Sequence, residues 1–310
     1  MRTTPALDNV IVRAPTLDDA HSVAQLIAER DRADFAEVDS ISFTGDELRE
    51  WWRLDEALLE TDAWIALIDE EVVAYARARR EGDLANLADE SCVHPDARGL
   101  GLGSSLLDLA ECWARDRGLA RIQMHVVNDD GRRLADDRGH KLVRYFWRME
   151  IDLATEPMEP AQPEGLAIRS YRPGDDDEAL HATHQNAFAE HWEFRPEPLD
   201  EWLKWRLERS DYHPELWRLA TDGEEIAGGA LCFGERHQGW VLDLFVGQRW
   251  RRKGLGLALL QSGFRALWQR GHTHVGLEVD SENETGATRL YERAGMRISR
   301  RYATYEKALV

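Results

Sequence analysis

The chain has few cysteines, no long apolar run and no recognisable metal-binding motif. Its 310 residues include three cysteines, Cys92, Cys112 and Cys232, with no Cys-x-x-Cys pair among them. This odd number predicts neither a disulfide framework nor a zinc site, so no metal ligand is expected. No apolar run approaches the roughly 20 residues of a membrane helix, and the N-terminal residues lack a basic-then-apolar signal pattern. These features predict a cytoplasmic protein without membrane attachment.

Basic residues are also in deficit. Lys and Arg total 39 against 58 Asp and Glu, which gives a formal net charge of −19. A field of this sign repels nucleic-acid phosphate and anionic lipid, so no nucleic-acid partner is expected. Hydrophobic residues make up 43% of the chain, enough to bury a sizeable core. The length predicts about two domains.

A proline-rich segment separates two similar halves. The stretch ATEPMEPAQPEG, residues 154–165, has the composition of a stiff, extended linker. On either side, similar motifs recur in the same order, with Arg98 and Arg251 at equivalent places. This repetition predicts a duplicated domain rather than a solenoid, whose repeats are shorter. The predicted domains are 1–153 and 166–310.

Each half shows the same succession of hydrophobic patterns. A strand leads into an acidic-capped helix, and a second helix and three strands follow. A glycine-rich turn then opens a long helix, which should end at Gly118 in one half and at Gly271 in the other. A strand, a helix and two closing strands complete each half. The expected fold class is α+β, with a mixed, mostly antiparallel sheet flanked by helices.

The glycine-rich turn reads Arg-x-x-Gly-x-Gly in both halves, starting at Arg98 and at Arg251. Backbone N–H groups at a helix start favour a phosphate group, and glycine lets a ligand approach the backbone closely. The dinucleotide-binding fingerprint needs a third glycine, and the nucleotide phosphate loop needs a following Gly-Lys-Ser or Gly-Lys-Thr. Both are missing, so these two readings fail.

The turn, in its place between the fourth strand and a long helix, resembles that of the GNAT acyltransferase superfamily. The resemblance covers both halves and implies a GNAT fold made twice, with acetyl-CoA as the cofactor and its diphosphate on the turn. It also implies that the backbone of residues 244–246 pairs with the pantetheine arm as an added strand would. The implied contacts in the second half are Leu244, Phe245, Val246, Arg251, Arg252, Lys253, Gly254, Leu255, Gly256, Leu257, Ala258 and Asn283. Those in the first half are Arg98, Gly99, Gly101, Gly103 and Ser104.

A second resemblance distinguishes the two halves. The segment NETGATRLYERAGM, residues 283–296, resembles a family motif whose tyrosine stands near the cofactor sulfur, which implies a catalytic role for Tyr291. A phenol beside a developing thiolate can supply its proton. The first half reads LADDRG and has Ala135 at that place. We therefore expect a catalytically degenerate first domain and an active second domain.

A general base is harder to identify from the sequence. Asp243, on the fourth strand of the second half, is a candidate that could accept the proton of the attacking amine. Glu90 occupies the equivalent place in the first half, so a shared structural role for the two acids stays open. Glu278, His237 and Glu235 are the alternatives.

The expected acceptor site lies before the second helix of the second half. His191, Trp192 and Glu193 precede two prolines there. An aromatic ring beside an acid can hold an ammonium group by cation–π and charge attraction.

The residues and the resemblance together predict an acetyl-CoA-dependent N-acetyltransferase. Its C-terminal domain would acetylate a primary amine of a small molecule, such as an amino sugar or an aminothiol, by direct attack. One alternative is a peptide or protein N-acetyltransferase, which would have an open groove instead of a closed pocket. Another is a non-catalytic acyl-CoA-binding module. A monomer is expected, with a dimer as the other possibility.

Overall fold

The described residues divide into two compact units. The structure is a computed structural model that describes residues 9–35, 44–54, 56–161, 163–209, 211–235, 238–283 and 286–309. Unit 1 comprises residues 1–145 and 302–310, and unit 2 comprises residues 146–301.

The elements recur in the same order in both halves of the chain. The first half contains β1 (Val10–Arg13), α1 (Ala20–Asp34), α2 (Gly45–Leu54), α3 (Glu56–Asp62), β2 (Ala63–Ile68), β3 (Glu71–Glu81), β4 (Leu84–Leu87), β5 (Cys92–Val93), α4 (Leu102–Asp116), β6 (Arg121–Val126), α5 (Asp129–Asp137) and β7 (Lys141–Asp152). The second half contains β8 (Ala167–Ser170), α6 (Asp177–Phe188), α7 (Leu199–Leu207), β9 (Arg218–Asp222), β10 (Glu225–Glu235), β11 (Gln238–Val246), α8 (Leu255–Gln269), β12 (His274–Asp280), α9 (Ala287–Arg293) and β13 (Arg297–Ala308). The short helix α3 has no equivalent among the described residues of the second half, and the sequence did not predict it.

Each unit has one mixed sheet with helices on both faces. The strand order is β1-β2-β3-β4-β6-β13 in unit 1, with β5 beside β3, and β7-β12-β11-β10-β9-β8 in unit 2. Only β4 with β6 and β11 with β12 pair in parallel among these neighbours. In unit 1 one apolar core lies under α4 and another under α1 and α2; the cores under α8 and under α6 and α7 repeat this in unit 2. The predicted fold class is confirmed.

Matching side-chain contacts show which residues of the two units are equivalent. Arg13 binds both carboxylate oxygens of Asp19, at 2.7 and 2.8 Å. Arg169 binds Asp176 in the same way, at 2.6 and 2.8 Å. Arg13 lies opposite Ile65 in the sheet, and Arg169 lies opposite Leu219. The two units can therefore be aligned residue by residue.

The final strand of each half is divided between the two units. In unit 2, residues 146–152 of β7 pair antiparallel with β12. In unit 1, residues 303–308 of β13 pair antiparallel with β6. The division at residues 145 and 301 therefore differs from the predicted boundaries, and the predicted linker, 154–165, falls within unit 2. Each half also ends in one strand of 12 residues, where two closing strands were expected.

The predicted helix ends are confirmed. Gly118 and Gly271 follow α4 and α8 in the left-handed conformation, with φ of 66° and 94°, and their N–H groups donate to carbonyls of the last turns. Such a backbone favours glycine and caps the helix. Among the described residues, none of the helices has the length and apolar character needed to cross a membrane.

Candidate active site

The glycine turn of unit 2 opens α8 with a left-handed residue. Gly254 is the N-cap of α8 with φ 80°, and a Cβ placed on it would meet no atom within 4 Å. The space over the turn is therefore free for a ligand, and the first N–H groups of α8 and its dipole favour an anion there. Gly256 has a packing role, because a Cβ at that position would come within 3.0 Å of Leu290 Cδ1 on α9.

The Arg251 side chain fastens this turn to the end of α6. Its Nε donates to the Val246 carbonyl at 3.1 Å, and its Nη1 lies 3.1 Å from a Glu190 carboxylate oxygen. In unit 1, Arg98 makes two 2.8 Å bonds to Asp34 at the end of α1. The guanidinium therefore stabilises the turn and leaves the backbone of the turn to face a ligand.

Two further cations lie on the unit 2 turn. Arg252 and Lys253 are exposed, and neither forms an ion pair with any described residue. Arg252 adopts φ 63°, a conformation that is strained for a residue with a side chain. The equivalent residues in unit 1 are Gly99 and Leu100. The field that would attract a diphosphate is therefore stronger in unit 2.

The strands beside the turn diverge. β11 pairs with β12 only at residues 238–240, so among the described residues no ladder joins 241–246 to β12. On its other side, β11 stays paired with β10, with a bulge at Leu242. The backbone of residues 244–246 thus borders an open wedge, which is the geometry that strand addition needs. These features fit the phosphate and pantetheine groups of acetyl-CoA.

Tyr291 lies buried on α9 near Asp243. It is 7% exposed, and burial, with a further contribution from the Asp243 charge, raises the pKa of its phenol above the ordinary value of 10. The phenol therefore stays protonated at neutral pH, as a proton donor must.

Asp243 is held by two side chains from the helices on one face of the sheet. Its Oδ2 accepts from Arg206 Nε at 3.3 Å and Nη2 at 3.2 Å, and His184 Nε2 lies 3.3 Å from the same oxygen. That imidazole contact is close, but it lies outside good hydrogen-bond geometry. Burial alone would raise the pKa of Asp243, yet His184 and Arg206 together hold the pKa below its usual value. A carboxylate that is this well stabilised is a weak base.

Unit 1 has lost the tyrosine at the equivalent place. Leu134 packs against Gly103 as Leu290 packs against Gly256. The carbonyl of the next residue, Ala135, accepts from His140 N at 2.9 Å, as the Tyr291 carbonyl accepts from Met296 N at 3.0 Å. The geometry thus agrees with the sequence in making Ala135 the counterpart of Tyr291.

The expected acceptor segment follows α6. His191 is partly buried, with its ring 4.5 Å from that of Phe188. Burial lowers the pKa of His191, while the charges of Asp280 and Arg251 act in opposite directions. Trp192 lies 5.9 Å from Phe146, between ring centroids. Glu193 adopts the left-handed conformation with φ 57°, the kind of local strain that clusters at binding sites.

The remaining predicted residues are less well defined. Asn283 is partly exposed, and its N–H donates to the Asp280 carbonyl at 3.1 Å. Ser104 lies in the first turn of α4, and its carbonyl accepts from Arg138. Of the alternative bases, Glu278 is exposed on β12. His237 and the Glu235 side chain lie outside the described residues.

Comparison with known proteins gives the family. The model of the acetyltransferase (GNAT) family matches residues 25–135 and residues 178–296. The chain belongs to this family. GNAT proteins use acetyl-CoA as the acetyl donor, and the chain is an acetyltransferase of this tandem type.

Its relatives include proteins with the same tandem arrangement. The chain is 31% identical to a mycothiol acetyltransferase of Actinosynnema mirum over 90% of this chain and 92% of that protein. A solved GCN5-related N-acetyltransferase from Sphaerobacter thermophilus is 34% identical, with a TM-score of 0.85, covering 99% of this chain and 97% of that one. A tandem GNAT protein of the clavulanic acid biosynthesis pathway is 16% identical, with a TM-score of 0.73 over 97% and 99% of the two chains, and supports the fold alone.

The GNAT turn of unit 1 borders a cleft that the sequence did not predict. The cleft encloses about 420 Å³, a size typical of small-molecule sites. All five predicted contacts of the first half line it, together with Tyr75, Leu87, Met124 and Asn128. The first unit therefore keeps room for a ligand beside its turn.

The sequence did not reveal the residues that hold the predicted site residues in place. Arg206 and His184 fix Asp243, and Glu190 fixes Arg251. Each of these contacts joins residues at least 37 positions apart, so no local pattern identifies them. Within the described residues, no cluster of three or more His, Cys, Asp or Glu side chains could hold a metal ion.

Proposed function

We propose that unit 2 transfers the acetyl group of acetyl-CoA to the primary amine of a small molecule, such as an amino sugar or an aminothiol. The observation that carries the proposal is the buried Tyr291, which lies close enough to Asp243 of β11 to be affected by its charge, where unit 1 has Ala135. Acetyl-CoA supplies the acetyl group as a thioester.

The turn and the wedge would hold the cofactor. The N–H groups after Gly254 and the charges of Arg252 and Lys253 would bind the diphosphate. The backbone of residues 244–246 would bind the pantetheine amides, since it has no ladder partner on the β12 side. Binding by the backbone places the reacting carbon without requiring a particular side chain.

Tyr291 would supply the proton that the departing sulfur needs. Its raised pKa keeps the phenol protonated through the neutral range, so it can donate when negative charge develops on the sulfur. Asp243 would act through its charge. Arg206 holds the Asp243 carboxylate in place, and the negative charge raises the pKa of the Tyr291 phenol.

His191 is a better base than the predicted Asp243. An amine nucleophile must lose a proton, and the lowered pKa of His191 keeps its imidazole neutral at pH 7 and able to accept one. We expect kcat to be constant from neutral pH down to about pH 6.5 and to fall below that value, with no loss from Tyr291 up to about pH 10. A pH profile of His191→Gln that keeps the acidic limb would exclude this role.

The acceptor would lie against Trp192 and Glu193. An indole face and a carboxylate suit an ammonium group that becomes a neutral amine before attack. The relatives named mycothiol acetyltransferase support a small acceptor of this kind.

Release of free thiol from acetyl-CoA, measured with a panel of amines, tests the proposal. The panel contains glucosamine, cysteine, a cysteinyl glycoside and two peptides with a free α-amine or a lysine. Turnover with the small amines and little with the peptides is expected. Preference for the peptides would favour a peptide acetyltransferase, and acetyl-CoA binding without turnover on any amine would leave a binding module.

Unit 1 would bind CoA without turning over. Its turn keeps the left-handed Gly101, with φ 83°, and its cleft is open. Its affinity should be lower than that of unit 2, because Asp130 lies 3.7 Å from Arg98 and no free cation replaces Arg252 and Lys253.

A further inference from the structure

A small polar cavity lies beside α8 in unit 2, and its lining shares no residue with the proposed acetyl-transfer site. It encloses about 120 Å³, which is room for more than one water molecule. Arg218 on β9 lines the cavity together with Ser262, Arg265 and Gln269 of α8. Glu159 and Pro160 border it from the segment before β8.

The positive charge of Arg218 has only neutral hydrogen-bond partners among the described residues. Its Nε donates to Ser262 Oγ at 2.9 Å and its Nη1 to Ser170 Oγ at 2.5 Å. Within the described residues no carboxylate lies within ion-pair distance of it. Burial lowers the pKa of Arg218, but a guanidinium remains charged in proteins. Arg218 is partly buried, and three of its five N–H donors have no acceptor among the described residues.

A second cation faces the same space. Arg265 donates to the Pro157 carbonyl at 2.7 Å and lies 2.8 Å from a carboxylate oxygen of Glu156, which is exposed. Two guanidinium groups and the Ser262 hydroxyl therefore converge on one small cavity.

The duplication provides an internal comparison for this cavity. The sheet register makes Trp64 the counterpart of Arg218, because Ile65 and Leu219 lie opposite equivalent arginines. Trp64 packs against the apolar core of unit 1. The turn glycines make Leu109 and Cys112 the counterparts of Ser262 and Arg265. Unit 1 therefore has uncharged side chains at these three positions, and the cationic lining is particular to unit 2.

We propose that this cavity binds a phosphate-sized oxyanion between Arg218 and Arg265. Guanidinium groups bind tetrahedral oxyanions through paired N–H donors, and the Ser262 hydroxyl adds a neutral donor. The Gln269 amide, which donates to Glu156 at 3.1 Å, lies beside them. An anion there neutralises Arg218 and joins the segment 156–160 to β9 and α8. The site is independent of acetyl transfer and of the proposed function.

Titration calorimetry of the full chain with sodium phosphate, against sodium chloride at equal ionic strength, tests the site. The wild type is expected to have a saturable phosphate site that depends on the two cavity arginines and is separate from the two glycine turns. Arg218→Gln and Arg265→Gln should each weaken it by about tenfold or more, as expected for loss of a charge-assisted hydrogen bond. Arg270→Gln is the matched control: Arg270 follows α8, pairs with Glu215 and does not line the cavity.

The variants separate the alternatives. If Arg218→Gln fails to fold, as judged by circular dichroism, Arg265→Gln decides, since Arg265 is partly exposed and its loss should be tolerated. Absence of phosphate binding in the wild type, or equal binding in the wild type and both cavity variants, overturns the proposal. Phosphate binding that occurs only in Glu159→Gln also overturns it, because the chain's own carboxylate then occupies the site.

Discussion

Units 1 and 2 share a scaffold and differ in the groups that carry charge and chemistry. Both keep the Arg–Asp pair at the first strand and the left-handed glycine before the long helix. They differ where Ala135 replaces Tyr291, where two uncharged residues replace the two exposed cations of the turn, and where Trp64 replaces Arg218. The shared features stabilise the fold, whereas the differences all place reactive or charged groups in unit 2. Each unit thus serves as a control for the other.

The largest expected effect comes from the tyrosine. Tyr291→Phe should lower kcat for acetyl transfer by about 10²–10⁴-fold, the range of general acid catalysis. Steady-state kinetics with saturating acetyl-CoA measures this. Tyr212→Phe is the matched control, because it removes a phenol of unit 2 whose oxygen is buried and has no hydrogen-bond partner among the described residues. Equal losses of kcat in the two variants would mean that Tyr291 contributes no more than another phenol. The difference between Tyr291 and Ala135 would then have no catalytic consequence.

The two turns can be separated by matched glycine substitutions. Gly254→Val and Gly101→Val place a branched side chain at φ 80° and 83°, which costs about 1–3 kcal/mol of strain and obstructs the turn. Gly254→Val should raise the KM for acetyl-CoA by about tenfold or more. Gly101→Val should leave that KM near the wild-type value and remove only binding to unit 1, measured by calorimetry with CoA. A KM that responds to Gly101→Val instead would assign the working turn to unit 1.

The contribution of the exchanged strand to unit 1 can be tested at Lys307. This residue of β13 binds both carboxylate oxygens of the buried Glu111, at 2.7 and 2.9 Å. Lys307→Met leaves Glu111 with Arg115 and His140, so the free energy of unfolding should fall by about 1–3 kcal/mol. Denaturant unfolding followed by circular dichroism measures this change. Lys141→Met, an exposed lysine of unit 1 that pairs with no described carboxylate, should have little effect.

The smallest effect concerns pH. His274 Nδ1 lies 2.8 Å from Asp152 and its Nε2 lies 3.7 Å from Glu150. The two carboxylates, Glu150 first, raise the pKa of His274 to about 8. Its folded pKa exceeds the ordinary value of 6.5, so its stabilisation is complete below pH 6.5 and is lost as pH rises through 8.

Unit 1 supplies the control for this pH effect. Its counterpart of His274 is Arg121, which binds Glu306 at 2.8 Å and does not titrate in this range. His274→Arg should therefore keep the ion pair and flatten the dependence of unfolding free energy between pH 6.5 and 8.5. An unchanged slope in this variant would exclude His274 as its source.

The sequence predicted the features that a local pattern of residues encodes. The Arg-x-x-Gly-x-Gly turns, the glycine caps and the alignment of Ala135 with Tyr291 all appear where the residues placed them. The strand exchange was not predicted, because the alternation of β7 defines a strand but not its partner. The environment of Asp243 was also missed, since Arg206 comes from another helix and changes the carboxylate from a candidate base into a fixed charge. The cleft of unit 1 depends on how strands diverge, which composition does not reveal.

The exchanged strands give a reason for evolution to retain both halves, whatever chemistry each half performs. A gene shortened to begin at the proline-rich segment would encode β12 without the seven residues that pair with it from Phe146 to Asp152. The exposed edge would display the unpaired amides of a strand whose Val275 and Leu277 belong in the core, a template for aggregation. A shortened gene for the first half would lack β13 in the same way. The two copies can therefore diverge in chemistry, but neither can be deleted, and mutations that separate them should be lost from the lineage.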